Sequence, residues 1–554
     1  SACASAFLPQ FFAKPSMAGT PMFFKRINNN IRLLIHKVQN YRYSDNDYKL
    51  VKPIFNKIRR YPAEAIIASC ISKIRYAEED YQTRYAYYQP WRLLLLIKWT
   101  LISGDPSPYP TRAFGEEELR WLLKELRDVD DRIESELAPS RSKKDWFLVY
   151  RRLSFQQRPF QESILYTRLA RQSILFRHLD ANDPLRESFR KAVGGDIEDF
   201  IELQLALLTR FKLRPRNDVS EAWFGSMSKC YQPGTVTKLL EGLSFDFESA
   251  RQYFSDSQQN HSPNVRYELS EMSPLKKFPL FRNRGNYYCY SLNLLYRALE
   301  DQMYDTLRSA DPQVFGCYFG KSIFEGYVGR VAAHSKLPVL REKELKDALG
   351  SGCKVIDYLI VDDDVHIFID AKAVEMTYVG EVTEDPEQIL QRIESSVIKG
   401  IEQAYSVAER LVGISRIGTI SLGEPTERYL LIVTYKDLYL GCGRDFYEFL
   451  AKDILDQTVR KFSNIRWIPF EHMYFVSIED FEFLVEAVHE GRTGIASFLR
   501  GAVRSDCALP VGRGKLVICQ HLHELVGPLK PPAYLKEEFE DLRRRVMSKF
   551  SLDG

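Results

Sequence analysis

At 554 residues, with 45% apolar and 13% aromatic side chains, the chain is long enough for two or three domains and too rich in core-forming residues to be disordered. A net charge of +3 gives a weak overall field, so any nucleic-acid surface must be a local patch. Nine cysteines stand singly, with no Cys-x-x-Cys and no paired histidine spacing, which argues against zinc ribbons and iron–sulfur clusters and fits a reducing, cytoplasmic setting.

Residues 1–20 lack the basic start and sustained apolar run of a signal peptide, and read as a disordered or expression-derived lead-in. Residues 21–265 read as a mostly helical recognition or partner domain. Apolar residues recur at helical spacing in Asn28–Val38, Pro62–Tyr76, Pro90–Ile102, Glu116–Glu136, Pro159–Leu179, Asp196–Phe211 and Thr235–Leu243, several of which open with proline or an acidic turn. The most apolar run, Trp91–Ile102, is short and holds Arg92 and Lys98, so no membrane span is predicted. Basic runs at Lys25–Arg32, Lys57–Arg60 and Arg141–Lys144 could touch phosphate, although such runs are commonly solvated helix faces. The polar stretch Ser255–Ser262 reads as a linker. Lys276–Leu292 follows as a hairpin turning near Arg284-Gly285, and Leu292–Leu307 as a helix.

Residues 266–500 carry a different pattern, that of an α/β sheet with helices on both sides. In the helix Gly320–His334, Phe324, Val328 and Val331 form a core stripe with Glu325 on its flank. Gly326 and Gly329 each cost a helix about 1 kcal/mol, which points to close approach to a sheet. Next, Lys354–Val361 and Val365–Lys372 are rich in β-branched and aromatic residues around an Asp-rich break suited to a tight turn. If Asp363 and Asp364 form a two-residue loop, 362 pairs with 365 and therefore 357 with 370. Asp357 then lies opposite Asp370, and Lys372 shares the face of Asp370. A three-residue loop would put Asp357 out of phase. In the even register Leu359 meets Phe368, while Ile356, Tyr358 and Ile360 meet Ala371, Ile369 and Ile367, so both faces are apolar as in a covered central pair.

Adjacent buried carboxylates repel unless a proton or cation neutralises them. Carboxylate oxygens suit a hard ion such as Mg²⁺ or Mn²⁺, and a neighbouring lysine can orient or deprotonate water or stabilise charge on a phosphate. A surface hairpin with a simple salt bridge is the alternative, and the apolar flanks argue against it. Further on, the helix Pro386–Gly413 has the buried stripe Ile389, Ile393, Val397, Ile401, Ala404 and Ala408, with Lys399 and Gln403 one turn apart. Strand Arg428–Tyr435, helix Phe446–Val459, strand Met473–Ile478 and a covering helix Phe481–Leu499 complete this part. Residues 501–554 form an extension ending in a charged helix with Arg543, Arg544 and Arg545. His521 and His523 would share a face on a strand, with no third ligand near them.

Asp357 followed by Asp370-Ala371-Lys372 at the end of the next strand resembles the PD-(D/E)XK nuclease superfamily, with Ile356 where the family commonly has proline. The resemblance covers residues 270–480 and says nothing of the first half. It implies a restriction-endonuclease-like core, a mixed central sheet flanked by helices, preceded here by a large α-helical region. It further implies that Asp357, Asp370 and the Ala371 carbonyl hold Mg²⁺, with Mn²⁺ as a substitute, and that Glu325 binds the ion directly or through water. Lys372 would position or activate the attacking water, and Gln403 with Lys399 would steady the substrate phosphate. The expected activity is metal-dependent endo- or exonucleolytic hydrolysis of nucleic acid, DNA being favoured over RNA. A helical region fused to such a core is similar to prokaryotic restriction and anti-phage effectors. A protein partner and self-association are both open, and the rival readings are a non-catalytic nuclease-fold module and a subunit active only with its partner.

Overall fold

The computed structural model describes residues 43–551 except 81–83, 86, 106–111, 138–140, 162–165, 181, 214–216, 258–263, 351, 353 and 463–466. The lead-in segment, the Asn28–Val38 helix, the Lys25–Arg32 cluster and most of the Ser255–Ser262 linker lie outside the described residues.

The first helices are α1 (Asp45–Ile58), α2 (Ala63–Glu78), α3 (Pro90–Ser103), α4 (Glu116–Leu137) and α5 (Lys143–Gln161). Ile66 and Ile74 of α2, Leu93, Leu96 and Trp99 of α3, and Leu119, Leu122 and Leu126 of α4 share one core, as their helical spacing requires. Lys98 interrupts the apolar run of α3. Its ammonium is buried between Glu268 and Glu271, at 2.7 Å from each, which ties α3 to a segment 170 residues away. The helix expected over Pro159–Leu179 is instead the end of α5 and, beyond residues 162–165, α6 (Thr167–Phe176). Pro159 falls in the last turn of α5, where it removes the N–H that would bond to the Phe155 carbonyl, and the helix stops two residues later.

Then come α7 (Pro184–Val193), α8 (Ile197–Leu213), β1 (Asp218–Ser220), α9 (Pro233–Leu243), β2 (Ser244–Phe245), α10 (Phe247–Ser257), β3 (Leu280–Asn283) and β4 (Asn286–Cys289). The hairpin β3–β4 turns at Arg284 and Gly285, both with left-handed backbone. It is half of a four-stranded sheet in the order β1-β4-β3-β2, built from segments on both sides of residue 265.

The elements that build and flank the second part include α11 (Leu292–Ala310), α12 (Glu325–His334), β5 (Val339–Arg341), β6 (Tyr358–Asp362), β7 (Val365–Lys372), α13 (Pro386–Ile393), α14 (Lys399–Arg410), β8 (Glu427–Thr434), α15 (Lys452–Val459), β9 (Met473–Ser477), α16 (Ile478–His489), α17 (Ile495–Cys507), α18 (Ile518–Leu525) and α19 (Ala533–Ser551). A large helical region thus precedes a mixed-sheet α/β core. The five strands lie in the order β9-β8-β7-β6-β5: β5, β6 and β7 form an antiparallel meander, and β8 runs parallel to both β7 and β9. Ile360, Ile367, Ile369, Leu431 and Val433 face Val328 and Val331 of α12 and the apolar side of α16. Leu359, Phe368, Leu430 and Ile432 face Ile401, Ala404 and Ala408 of α14. The central strands are therefore covered on both sides.

The covering helix expected over Phe481–Leu499 is two helices, because Gly491 adopts left-handed backbone and ends α16. His521 and His523 lie on α18 and not on a strand, and His521 is buried with Nε2 at 2.9 Å from Asp506 Oδ2. Arg545 and Lys549 fasten α19 to Glu202 and Asp199 of α8 at 3.0 and 2.8 Å. Among the described residues no helix is long and apolar enough to cross a membrane.

The approach of α12 to the sheet is fixed by Gly329, where an added Cβ would lie 2.3 Å from the Tyr358 hydroxyl. That hydroxyl donates to the Glu325 carbonyl at 2.9 Å. Gly→Ala within a helix ordinarily stabilises by about 1 kcal/mol. Gly329→Ala should instead destabilise by about 1–3 kcal/mol through overpacking, measured by urea unfolding. Gly326→Ala, where a Cβ meets nothing within 4 Å, should stabilise.

Candidate active site

Strands β6 and β7 join through Asp363 and Asp364, with Asp363 in the left-handed region, and pair from 362↔365 to 358↔369. This is the even register. The ladder stops at Tyr358, one residue short of Asp357, which leaves the Asp357 carboxylate free to accept the Ala371 N–H at 2.7 Å. Because the chain before Tyr358 has left the pleat, Ile356 packs with Leu359 and Phe368, and not with Tyr358 and Ile360 as a continued strand would have it. Asp370 points toward α14, where a Cβ on Gly400 would sit 2.3 Å from Asp370 Oδ2. Only a glycine lets the helix pass over this carboxylate. Lys372 alternates onto the same face, with Nζ 2.6 Å from Asp370 Oδ2.

The helix behind the lysine supplies Gln403, whose Nε2 donates to the Val355 carbonyl at 2.7 Å and whose Oε1 accepts from Lys372 Nζ at 3.4 Å. The amide thereby ties the lysine to the segment before β6 that carries Asp357. Lys399 opens α14 and Glu325 opens α12. Each follows a π-helical turn, Glu394–Ile398 and Phe319–Phe324 respectively, and such a turn shifts the helical register by one residue. The apolar stripe of α12 packs on the face opposite Asp370, while Glu325 in its first turn is felt by Asp357 and Asp370 through charge. Asp357, Asp370, Ala371, Lys372 and Gln403 are thus brought into one connected group. Glu325 and Lys399 act on it through charge. Lys321 and Glu342, which flank Glu325, and Gly400 belong to the same surroundings and went unread in the sequence. Gly400 did leave a signal: a glycine in mid-helix beside a buried stripe costs stability and marks a close approach.

Asp370 is 0% exposed. Burial pushes its carboxyl up, while Lys372, a hydrogen bond with Asp357, and Lys399 pull it down. The Asp357 carboxyl is pushed up to about 8, first by burial, then by Asp370 and Glu325, against the stabilising Ala371 N–H. Burial and then Glu342 also raise Glu325. Near neutral pH the acids therefore resist full ionisation, and the Asp357–Asp370 pair titrates as a unit. Apart from a proton shared with Asp357, Asp370 Oδ1 is buried without a hydrogen-bond donor. Lys372 supplies one counter-charge at Oδ2, and Oδ1 still calls for a cation or a proton.

The donor set fits a hard cation: two carboxylates, and a carbonyl at Ala371 that faces the same side as its N–H because both groups of an extended residue point to one neighbour. Among the described residues no three His, Cys, Asp or Glu side chains come close enough to hold a metal by themselves, so Glu325 is not part of a ready-made cage. No family model, no curated protein and no solved structure matches the chain.

The raised acid makes a signed prediction for metal-free protein. Below its ordinary value of 3.8, Asp357 is protonated in folded and unfolded chains alike. Between there and about 8 the unfolded chain ionises freely while the folded one resists, so folding stability falls as pH rises. Asn does not titrate. In EDTA, the melting temperature of Asp357→Asn should match wild type near pH 4 and exceed it by a margin that grows toward pH 8. A constant offset across that range would contradict the assignment.

Proposed function

We propose that this chain is a divalent-metal-dependent nuclease of the PD-(D/E)XK type, hydrolysing phosphodiester bonds in nucleic acid, DNA in preference to RNA. The observation that carries this reading is the fully buried Asp370 carboxylate, short of donors, set beside Asp357 at a strand end with Lys372 on its own face. A mixed sheet flanked by helices, with an acid-bearing helix before it, is the arrangement this reading requires, and it supports it.

In this account Asp357, Asp370 and the Ala371 carbonyl would hold Mg²⁺ or Mn²⁺, and Glu325 would contribute through water. Bound there, the ion supplies Lewis-acid polarisation of the phosphate and lowers the pKa of water. Lys372, steadied by Gln403, orients the attacking water and offsets charge developing on the phosphate. Lys399 provides a second cation for a non-bridging phosphate oxygen. The helical first half recognises the nucleic acid or a protein partner in a cytoplasmic restriction or anti-phage setting.

A second reading, activation by a partner or bound substrate, is favoured by one set of contacts. The segment that follows Lys372 is clamped by the helical half and its boundary: Arg151 donates to the Gly380 carbonyl at 2.6 Å, and Glu384 is held by Arg152 at 3.1 Å and by Arg266 just past residue 265. A ligand that moves those helices moves this segment too.

Lys372→Ala should lower cleavage of plasmid DNA by about 10²–10⁴-fold while the fold persists. Asp370→Asn should abolish cleavage as well. The two differ in their response to metal: Lys372→Ala should keep the rise in melting temperature that Mg²⁺ or Mn²⁺ produces, and Asp370→Asn should lose most of it. Cleavage that survives both substitutions, on protein free of contaminating nucleases, would sink the mechanism.

A further inference from the structure

A cavity of about 290 Å³ lies in the helical half, between α3, α4, α5 and the segment 266–270, and shares no lining residue with the acid pair. Its polar groups are incompletely matched. Arg152 is 2% exposed, yet its Nε is buried without an acceptor, while its Nη2 donates to Glu134 at 3.2 Å and its Nη1 lies 3.1 Å from Glu384. Arg266 likewise has a buried, unmatched Nε, its Nη2 being engaged by Glu384. Gln89 presents a buried Oε1 with no donor. The indoles of Trp91 and Trp146 form part of the wall.

These groups define a complementary ligand. The two guanidinium N–H groups require acceptors, and the lining's Arg92, Arg152 and Arg266 against Asp130 and Glu134 favour an acceptor that is anionic; the glutamine oxygen requires a donor, and the indoles suit a flat ring. The volume sits at the small end of ligand pockets, which run to about 300–1,000 Å³, and leaves room for one nucleotide. We infer that the cavity is a binding site for a nucleoside monophosphate whose base carries an exocyclic amino group. The base lies against the indoles with its amine donating to Gln89 Oε1, and the phosphate takes Arg152 and Arg266. Glu384 already occupies both arginines, so the phosphate competes with it, and a filled cavity frees the segment that follows Lys372. That last consequence for cleavage rests on the nuclease reading, whereas the binding itself does not.

The test is calorimetry on full-length protein in EDTA, which removes any metal contribution at Asp357 and Asp370. AMP, CMP and GMP should bind saturably, with adenosine or inorganic phosphate alone weaker by about tenfold or more. Arg152→Gln and Trp146→Ala should each weaken AMP by about tenfold. Trp146 is 41% exposed, so its variant should fold even if the arginine variant does not. Glu384→Gln should tighten binding by removing the competitor, and Lys372→Ala should leave it unchanged, which separates this site from the proposed nuclease centre. A free mononucleotide and the 5′-phosphorylated end of a strand present the same chemistry. A 5′-phosphorylated oligonucleotide tells them apart, and binding of either upholds the site. Absence of binding by every mononucleotide and by the oligonucleotide, or binding undiminished in both Arg152→Gln and Trp146→Ala, would overturn it.

Discussion

The constraint on which the core depends is the burial of one carboxylate beside another. Asp370 has no exposure and faces the underside of α14, so desolvation opposes its charge, and its presence in turn raises the carboxyl of Asp357 beside it. Several neighbouring features offset that opposition. Lys372 lies at salt-bridge distance, the Ala371 N–H serves Asp357, and Gly400 removes the one side-chain atom that would collide with the acid. A pair of aliphatic residues would fill the same space with no such support. The acids are maintained at a cost to stability, which is the pattern expected where chemistry and not packing sets the residue type.

The rest of the core turns that local arrangement into a site. The even register of β6 and β7 carries both acids and the lysine to one end of the sheet, and stopping the ladder at Tyr358 leaves the Asp357 carboxylate available. The helices on either side are adjusted by π-helical turns just before Glu325 and Lys399. A sheet with parallel β7, β8 and β9 ends its strands together, and the segment leaving β7 passes directly under the helical half. Glu375 there meets Lys436 of the core at 2.9 Å, and Glu384 meets Arg152 of the helical half and Arg266 at the boundary between the two. The site's exit segment is therefore a place where the two halves meet through charges that a polar ligand can contest.

How much of this could be read in the sequence follows from the length scale of each signal. The register of β6 and β7 was legible because a two-residue turn fixes every pair by one sum, and Asp363 takes the left-handed backbone such a turn demands. The stripes of α12 and α14 were legible because their period is local. The fate of Ile356 was not, because nothing in Ile356-Asp357-Tyr358 announces where pairing ends. Strands β1 and β2, of three and two residues, are too short for alternation to show, so the four-stranded sheet was seen only as its central hairpin. Each π-helical turn shifts the helix by a single residue, which a stripe of mixed three- and four-residue steps absorbs without a visible break. Contacts such as Lys98 with Glu268 and Arg152 with Glu384 join residues too far apart in the chain for any spacing rule to reach.

The central claim is that Asp357 and Asp370 together form a metal site, and anomalous diffraction from crystals grown with Mn²⁺ tests it most directly. The account predicts a single strong peak between the two carboxylates, about 2.0–2.2 Å from their oxygens and from the Ala371 carbonyl, with Lys372 drawn off Asp370 and the peak absent in Asp370→Asn. No peak there at saturating Mn²⁺, with Lys372 still bound to Asp370, would show that the lysine is the permanent counter-ion of this carboxylate and that the metal site does not exist.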